Sequence, residues 1–243
     1  MTNTPQTNRD RITRRSLVQR GGLLAAGLAA AAWTGSSAED AAASATSAGG
    51  PAGVASGALS CVLTPELTEG PYYVAGEKLR RDITEGKPGV PLLLHLSVLN
   101  ASTCKPLANA AVDIWHCDSL GVYSGAVANN PGTNFLRGIQ RTDAGGVATF
   151  GTIYPGWYQG RAVHIHVKVH LGGRVVHTGQ LFFPAEVTNA VYQKTPYRTH
   201  GTHPDTLNAN DAIFRNGGSK GMLALKKSGS GYLGTIAMGV HTA

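Results

Sequence analysis

Apolar residues in this 243-residue chain fall into short runs broken by turn residues, not onto long helical stripes. Six segments stand out: 92–99, 111–115, 147–153, 162–169, 175–183 and 233–240. Each is short and rich in Val, Ile, Leu, Thr or Phe, and clusters of Gly, Pro, Asn and Asp lie between them. That is the signature of β-strands. Asp143-Ala144-Gly145-Gly146 marks a turn between two of them. A short helix is expected over 186–193, after Pro184. No long amphipathic helix and no internal repeat is present. The pattern predicts an all-β fold, an antiparallel β-sandwich with long loops and few short helices. Residues 192–218 are polar and carry few strand signals, so they are expected to form a long ordered loop of the kind that frames a site.

The first sixty residues read differently. Arg9, Arg11, Arg14, Arg15 and Arg20 form a basic start without lysine, and an uncharged run (GGLLAAGLAAAAW, 21–33) follows. An Ala/Ser/Gly-rich stretch comes next. A basic region, a short apolar core and small residues around a cleavage point mark an export signal. The apolar run is shorter than the ~20 residues a membrane span needs. Arg14-Arg15, inside Thr-Arg-Arg-Ser-Leu-Val, resembles a twin-arginine signal, whose route carries folded proteins. The expected organisation is an export signal over 1–48, a flexible linker over 49–60 and one β-sandwich domain over 61–243. The expected location is outside the cytoplasm, secreted or in the cell envelope, with no membrane span.

The formal net charge is +7. Removing 1–48 takes away those five arginines and three acids (Asp10, Glu39, Asp40), which leaves about +5. A mild positive field suits phenolic or carboxylate substrates. The remaining Lys and Arg are scattered without an aromatic-interleaved stripe, which argues against nucleic-acid binding. Of the three cysteines, Cys61 and Cys104 lie in polar, turn-like contexts and Cys117 follows an apolar strand. A Cys61–Cys104 bridge with Cys117 as a buried thiol is the expected arrangement in an exported protein; three reduced thiols are the alternative.

The densest chemistry lies in Pro155-Gly156-Trp157-Tyr158-Gln159-Gly160-Arg161-Ala162-Val163-His164-Ile165-His166. Side chains two apart on a strand share a face, so His164 and His166 project to the same side, roughly 7 Å apart at the backbone. Two imidazoles can converge on one metal, and zinc or copper is served as well as iron. Tyr158 precedes the pair and Tyr123 follows the 111–115 strand. Phenolate is a hard anionic donor that suits Fe(III), although any single tyrosine in a sandwich is as readily a packing residue.

These stretches resemble the intradiol ring-cleavage dioxygenases, which include catechol 1,2-dioxygenases and protocatechuate 3,4-dioxygenases. The resemblance rests on Thr68-Glu69-Gly70-Pro71-Tyr72-Tyr73, on Val112-Asp113-Ile114-Trp115-His116 running into Gly121-Val122-Tyr123-Ser124, on Thr142-Asp143 with Gly145-Gly146, and on 152–166. It covers roughly 61–240 and looks closest to short, secreted, single-domain members. It implies a β-sandwich holding non-haem Fe(III) on Tyr123, Tyr158, His164 and His166. It implies that Arg161 stabilises charge developing on the ring, that Gln180 orients it or the ring, and that Tyr158 also serves as the ligand that leaves and accepts a proton. The implied reaction joins a small aromatic diol to O2 and opens the ring between its two hydroxyls, giving a muconate-type diacid. His116 is expected to be a hydrogen-bonded structural histidine, and Asp113 and Asp118 turn or strand-end partners. Tyr72, Tyr73, Tyr154 and Trp157 are expected to wall the pocket, and Arg137 to be a buried ion-pair partner. His200 and His203 could be mistaken for a second metal site. The rival reading is a non-catalytic metal- or ligand-binding β-sandwich in which the histidine pair is structural.

Overall fold

A computed structural model describes residue 61 and residues 63–125 and 128–242; the expected export signal (1–48) and linker (49–60) lie outside the described residues. The strands are β1 (Pro91–Asn100), β2 (Ala111–Trp115), β3 (Arg137–Arg141), β4 (Val147–Ile153), β5 (His164–Leu171), β6 (Arg174–Phe182), β7 (Ala224–Ser228) and β8 (Gly231–Val240). Helix α1 (Ala185–Tyr192) follows Pro184, and α2 (Ala212–Arg215) is a single turn. The strands form two four-stranded sheets, ordered β4-β1-β8-β7 and β3-β2-β5-β6. The fold is the expected all-β sandwich. Its pairings are antiparallel with one difference: β8 returns to lie parallel beside β1.

The core forms between the inner faces. Leu92, Leu94, Leu96 and Val98 of β1 face the space shared with Val112, Ile114, Ile165, Val167, Val169 and Leu181 of the other sheet, and all are buried. Each such side chain contributes about 1.5–3 kcal/mol by leaving water.

Two strands carried no legible pattern. In β3 the residues paired with Ile114 and Val112 are Gly138 and Gln140, so its inner face lacks the apolar side chains that announce a strand. Edge strand β7 reads Ala-Leu-Lys-Lys-Ser and is mostly exposed. Strand β5 starts at His164 rather than 162, because the Ala162 N–H donates to the Asp211 carboxylate at 2.8 Å and not to a ladder. The polar stretch 192–218 holds two 3-10 turns and α2. Cys61 and Cys104 are joined in a disulfide and Cys117 is buried and free. Closing a loop of 43 residues contributes ~4 kcal/mol in the chain-entropy view.

Candidate active site

The site lies on the outer face of the β3-β2-β5-β6 sheet. Strand pairing sets Arg137 opposite Trp115, Trp115 opposite His166, and His166 opposite Gln180, so one row of side chains crosses all four strands. His164 stands one pleat along, on the same face. The inner face of this sheet is spent on the core, so its outer face can carry polar groups only if other segments cover it.

Three stretches supply that cover. Residues 68–73 run over the sheet. Glu69 pairs with Lys168, the Thr68 carbonyl accepts from Gln180 Nε2 at 2.9 Å, Tyr73 packs on Trp115 and Tyr72 stacks on Tyr123 at 4.3 Å. Gly70 is required here. Its φ is +74°, and a Cβ at this position would sit 3.0 Å from the His166 ring. The second and third stretches carry Tyr123 and Tyr158, and Asp118 joins them. Its Oδ1 accepts from the Leu120 and Val122 amides at 3.0 Å each, and its carbonyl accepts the Gly156 amide at 3.0 Å. A Cβ on Gly156 would lie 2.4 Å from that carbonyl oxygen, so the Pro-Gly turn packs directly on the neighbouring loop.

Four donor groups converge as a result. Tyr158 Oη is 3.1 Å from His164 Nε2, and His164 Nε2 is 3.1 Å from His166 Nε2. The Tyr123 ring is edge-on to Tyr158 with centroids 5.6 Å apart, and its buried hydroxyl has no hydrogen-bond partner. His164 Nδ1 lies 2.6 Å from the Ala162 carbonyl. A carbonyl only accepts, so Nδ1 carries the hydrogen and Nε2 presents a bare lone pair to the cluster. Burial first, then the nearby Arg161 charge, lowers His164 to about 3. Burial, then its neighbour His164, keeps His166 well below the ordinary range. Both imidazoles are therefore neutral. Burial raises Tyr158 to about 12 and Tyr123 well above its usual value, so phenolates here require a cation.

Arg161 is held at the edge of this cluster. Its Nε donates to Asp211 Oδ2 at 2.9 Å and its Nη2 to Gln180 Oε1 at 2.5 Å. Its Nη1 lies 3.4 Å from His164 Nε2 and 3.5 Å from Tyr158 Oη. Burial works against ionised Asp211, but the Ala162 amide and the Arg161 charge outweigh it and hold the carboxyl below its usual range. Two cavities flank Gly121. One, of about 430 Å³, is lined by Trp157, Tyr158, His200 and Asp205 among others; the second, of about 230 Å³, is lined by Tyr72, Val122 and Tyr123 among others.

A family model described as a dioxygenase matches residues 68–190. The chain belongs to the intradiol ring-cleavage dioxygenase family. An intradiol ring-cleavage dioxygenase from Tetranychus urticae is similar at 32% identity, with a TM-score of 0.71, over 74% of this chain and 95% of that one. The dioxygenase domain of a dioxygenase–carbohydrate-binding protein fusion from Streptomyces sp. SirexAA-E is 33% identical, with a TM-score of 0.59, over 74% and 99%. Catechol 1,2-dioxygenase 2 of Acinetobacter lwoffii is 39% identical over 99 residues; the match spans 39% of this chain and 35% of that relative's length.

Within this dioxygenase-family fold, Tyr123, Tyr158, Arg161, His164, His166 and Gln180 stand together. Tyr72, Tyr73 and Trp157 line or cover the site as expected, and Arg137 faces Glu77 at 4.0 Å. His116 is structural: its Nδ1 lies 2.7 Å from the Cys117 carbonyl and its Nε2 2.8 Å from Thr152 Oγ1. Two expectations change. Tyr154 is in the main core, bonded to Thr188, and lines neither of the cavities flanking Gly121. Asp113 is no strand-end partner: it is mid-strand and fully buried. Among the described residues no group of three or more His, Cys, Asp or Glu side chains could hold a metal. His200 binds the Trp157 carbonyl at 3.0 Å instead. Sequence reasoning missed Asp211. Its position before Ala-Ile-Phe is an N-cap signal, and it does cap α2 by accepting from the Ile213 and Phe214 amides. That signal says nothing of Arg161, fifty residues away.

Proposed function

We propose that this chain is a non-haem Fe(III) intradiol dioxygenase that opens catechol-type diols between their hydroxyls with O2, giving muconate-type diacids. The observation that carries the reading is the convergence of two neutral imidazoles with the buried Tyr123 phenol, whose hydroxyl has no close hydrogen-bond partner, and the partly buried Tyr158 phenol. An unpartnered buried hydroxyl is costly, and a trivalent cation relieves it. Two phenolates offset two of its three charges, and this hard-oxygen set favours iron(III) over zinc or copper(I). The residues present fit the ion: Tyr123, Tyr158, His164 and His166 would hold it. Bound there, it would supply Lewis acidity that makes the diol acidic and its ring electron-rich.

The chain's own residues do the rest. Tyr158 Oη accepts one of the diol protons. Tyr123 keeps its charge in the site throughout. Arg161 Nη1, already within 3.5 Å of Tyr158 Oη, stabilises negative charge that develops as the ring is attacked. Gln180, fixed by the Thr68 carbonyl, holds the far side of the guanidinium. Tyr72 and Trp157 give the ring apolar walls.

The test is direct. Purified protein loaded with iron should be red to burgundy from tyrosinate charge transfer, consume oxygen with catechol, and give a colourless diacid. A yellow semialdehyde product would overturn the regiochemistry. A colourless protein that retains no iron would favour the non-catalytic binding module. Export by the twin-arginine route belongs to the same proposal and rests on Arg14-Arg15 ahead of the uncharged run. Replacing both arginines by lysine should leave active enzyme in the cytoplasmic fraction; normal export of that variant refutes the route.

A further inference from the structure

The stretch between α1 and α2 runs alongside the segment that carries Tyr158 and Arg161, and it is fastened there at three successive points. His200 Nε2 bonds to the Trp157 carbonyl at 3.0 Å, Asp205 Oδ2 accepts the Gly160 amide at 3.1 Å, and Asp211 Oδ2 accepts both Arg161 Nε at 2.9 Å and the Ala162 amide at 2.8 Å. The order of the anchors along one segment matches the order along the other. The third differs from the first two in kind. The Asp211 side chain is 1% exposed and its partner guanidinium 16%, so this charge pair is shielded from water. Its second oxygen is also engaged, by the Ile213 and Phe214 amides at 2.7 and 3.2 Å. The carboxylate is therefore fixed by four N–H donors and has no freedom to follow a moving arginine.

An arginine side chain left to itself samples many rotamers. Here Asp211 holds Nε and Gln180 holds Nη2, so Nη1 is the arm left to face Tyr158 Oη and His164 Nε2. Removing Gln180 alone would leave the Nε anchor. Removing Asp211 would free the stem from which the whole fork hangs.

We propose that Asp211 is a positioning residue of this site, whose carboxylate fixes the Arg161 guanidinium at the Tyr158–His164 pair and so ties the 193–211 stretch to the catalytic centre. The proposal rests on the reading of Arg161 as the charge-stabilising group. It assigns Asp211 no contact with substrate.

The test uses Asp211→Asn, which is near-isosteric but uncharged, and Asp211→Ser, which retains a side chain able to cap α2 but too short to reach Arg161. Arg161→Gln serves as reference. In metal-free protein, the Arg161 Nε–H resonance, identified by its loss in Arg161→Gln, should be protected from solvent exchange in the wild type, less protected in Asp211→Asn, whose amide oxygen still accepts, and unprotected in Asp211→Ser. In iron-loaded protein, both should lose ~10–100-fold in kcat, the usual range for removing a partner that orients a site group. KM, iron content and the visible band should be unchanged. Arg161→Gln combined with Asp211→Asn should be no slower than Arg161→Gln alone, because both changes remove one function. The proposal is overturned if Arg161 Nε–H stays protected in Asp211→Ser, if the losses of the double variant multiply, or if iron is lost along with activity, which would mark a structural role. Should Arg161→Gln turn over at the wild-type rate, the reading of Arg161 itself fails, while the resonance still decides whether Asp211 holds it.

Discussion

Sheet β4-β1-β8-β7 buries its inner face and leaves its outer face partly open, as the alternating burial along β1 and β4 shows; in sheet β3-β2-β5-β6 the central strand β5 is buried without a break from His164 to Val169. The difference lies in what covers the outer face. Over the second sheet lie residues 68–73, the loop from Asp118 to Tyr123 and the Pro155–Arg161 turn, to which the 193–211 stretch is fastened in turn. Beneath them stand Arg137, Asp113, Trp115, His164, His166, Lys168 and Gln180, all buried. The side chains rising from that face are as buried as the core, but many are polar and must find partners there. One sheet stabilises the fold, and the other also stores reactive groups beneath its cover.

Breaking the covered face should cost activity without stability. On the proposed function, Tyr158→Phe removes the proton acceptor yet leaves three protein ligands, so iron should be largely retained, the visible band weakened and turnover lowered ~10²–10⁴-fold, with little change in the unfolding midpoint. Tyr123→Phe should lose iron, because its charge is needed before and after substrate binds. Iron analysis and stopped-flow binding of catechol check both; fast binding by Tyr158→Phe together with slowed deprotonation in Tyr123→Phe would reverse the two roles. The shared core should respond the opposite way. Phe150, fully buried on β4, should cost ~3–5 kcal/mol when cut to alanine, read by urea unfolding, while turnover per folded molecule stays the same. A matching loss of turnover would show that core packing reaches the site.

The same contrast explains what the sequence made legible. Strand β1 and its partners announce themselves because their side chains face one core, and the His164/His166 spacing places two imidazoles on one face by strand geometry alone. Strand β3 is silent because Gly138 and Gln140 occupy its inward positions. Tyr123 could be singled out from eight tyrosines only by resemblance, since what brings it to Tyr158 is the Asp118 hub and the close approach of Gly156, long-range contacts with no period. Asp211 was hidden for the same reason. Its local role, capping a four-residue helix, is readable; its pairing across fifty residues is not.

A smaller effect sharpens the cost of covering a polar face. Asp113 stands opposite Lys168 on β5 and Ile139 on β3, with Tyr73, Glu77 and Arg137 as the other titratable or charged neighbours. Burial, then the Glu77 charge, raises its pKa to about 7 despite Lys168 and Arg137. The folded state thus keeps a proton that the unfolded chain releases near pH 4. Asp113's own contribution to stability therefore falls as pH rises from about 4 to about 7, and its loss is complete above that. Asp113→Asn removes this dependence while leaving Glu77, whose pKa is also raised, in both proteins. The difference in unfolding free energy, variant minus wild type, should therefore rise by a few kcal/mol between pH 4 and pH 8. Urea titrations at several pH values measure it, and a flat difference would mean that Asp113 ionises freely in the folded protein.

The smallest effect belongs to the open sheet. Lys226 on β7 is exposed and pairs with Leu233 of β8, and β7 ends its sheet. Lysine at such an edge discourages another strand from pairing with it. Threonine suits a strand better than lysine, so Lys226→Thr should move stability by no more than about 0.5 kcal/mol, in either direction. Turnover should be unchanged, because the candidate site is built entirely on the other sheet. The charge is expected to matter only between molecules: Lys226→Thr combined with Lys227→Thr should self-associate at lower concentration than the wild type, as read by light scattering. If the single variant instead alters turnover by more than twofold, the two sheets are coupled and the division of labour between them fails.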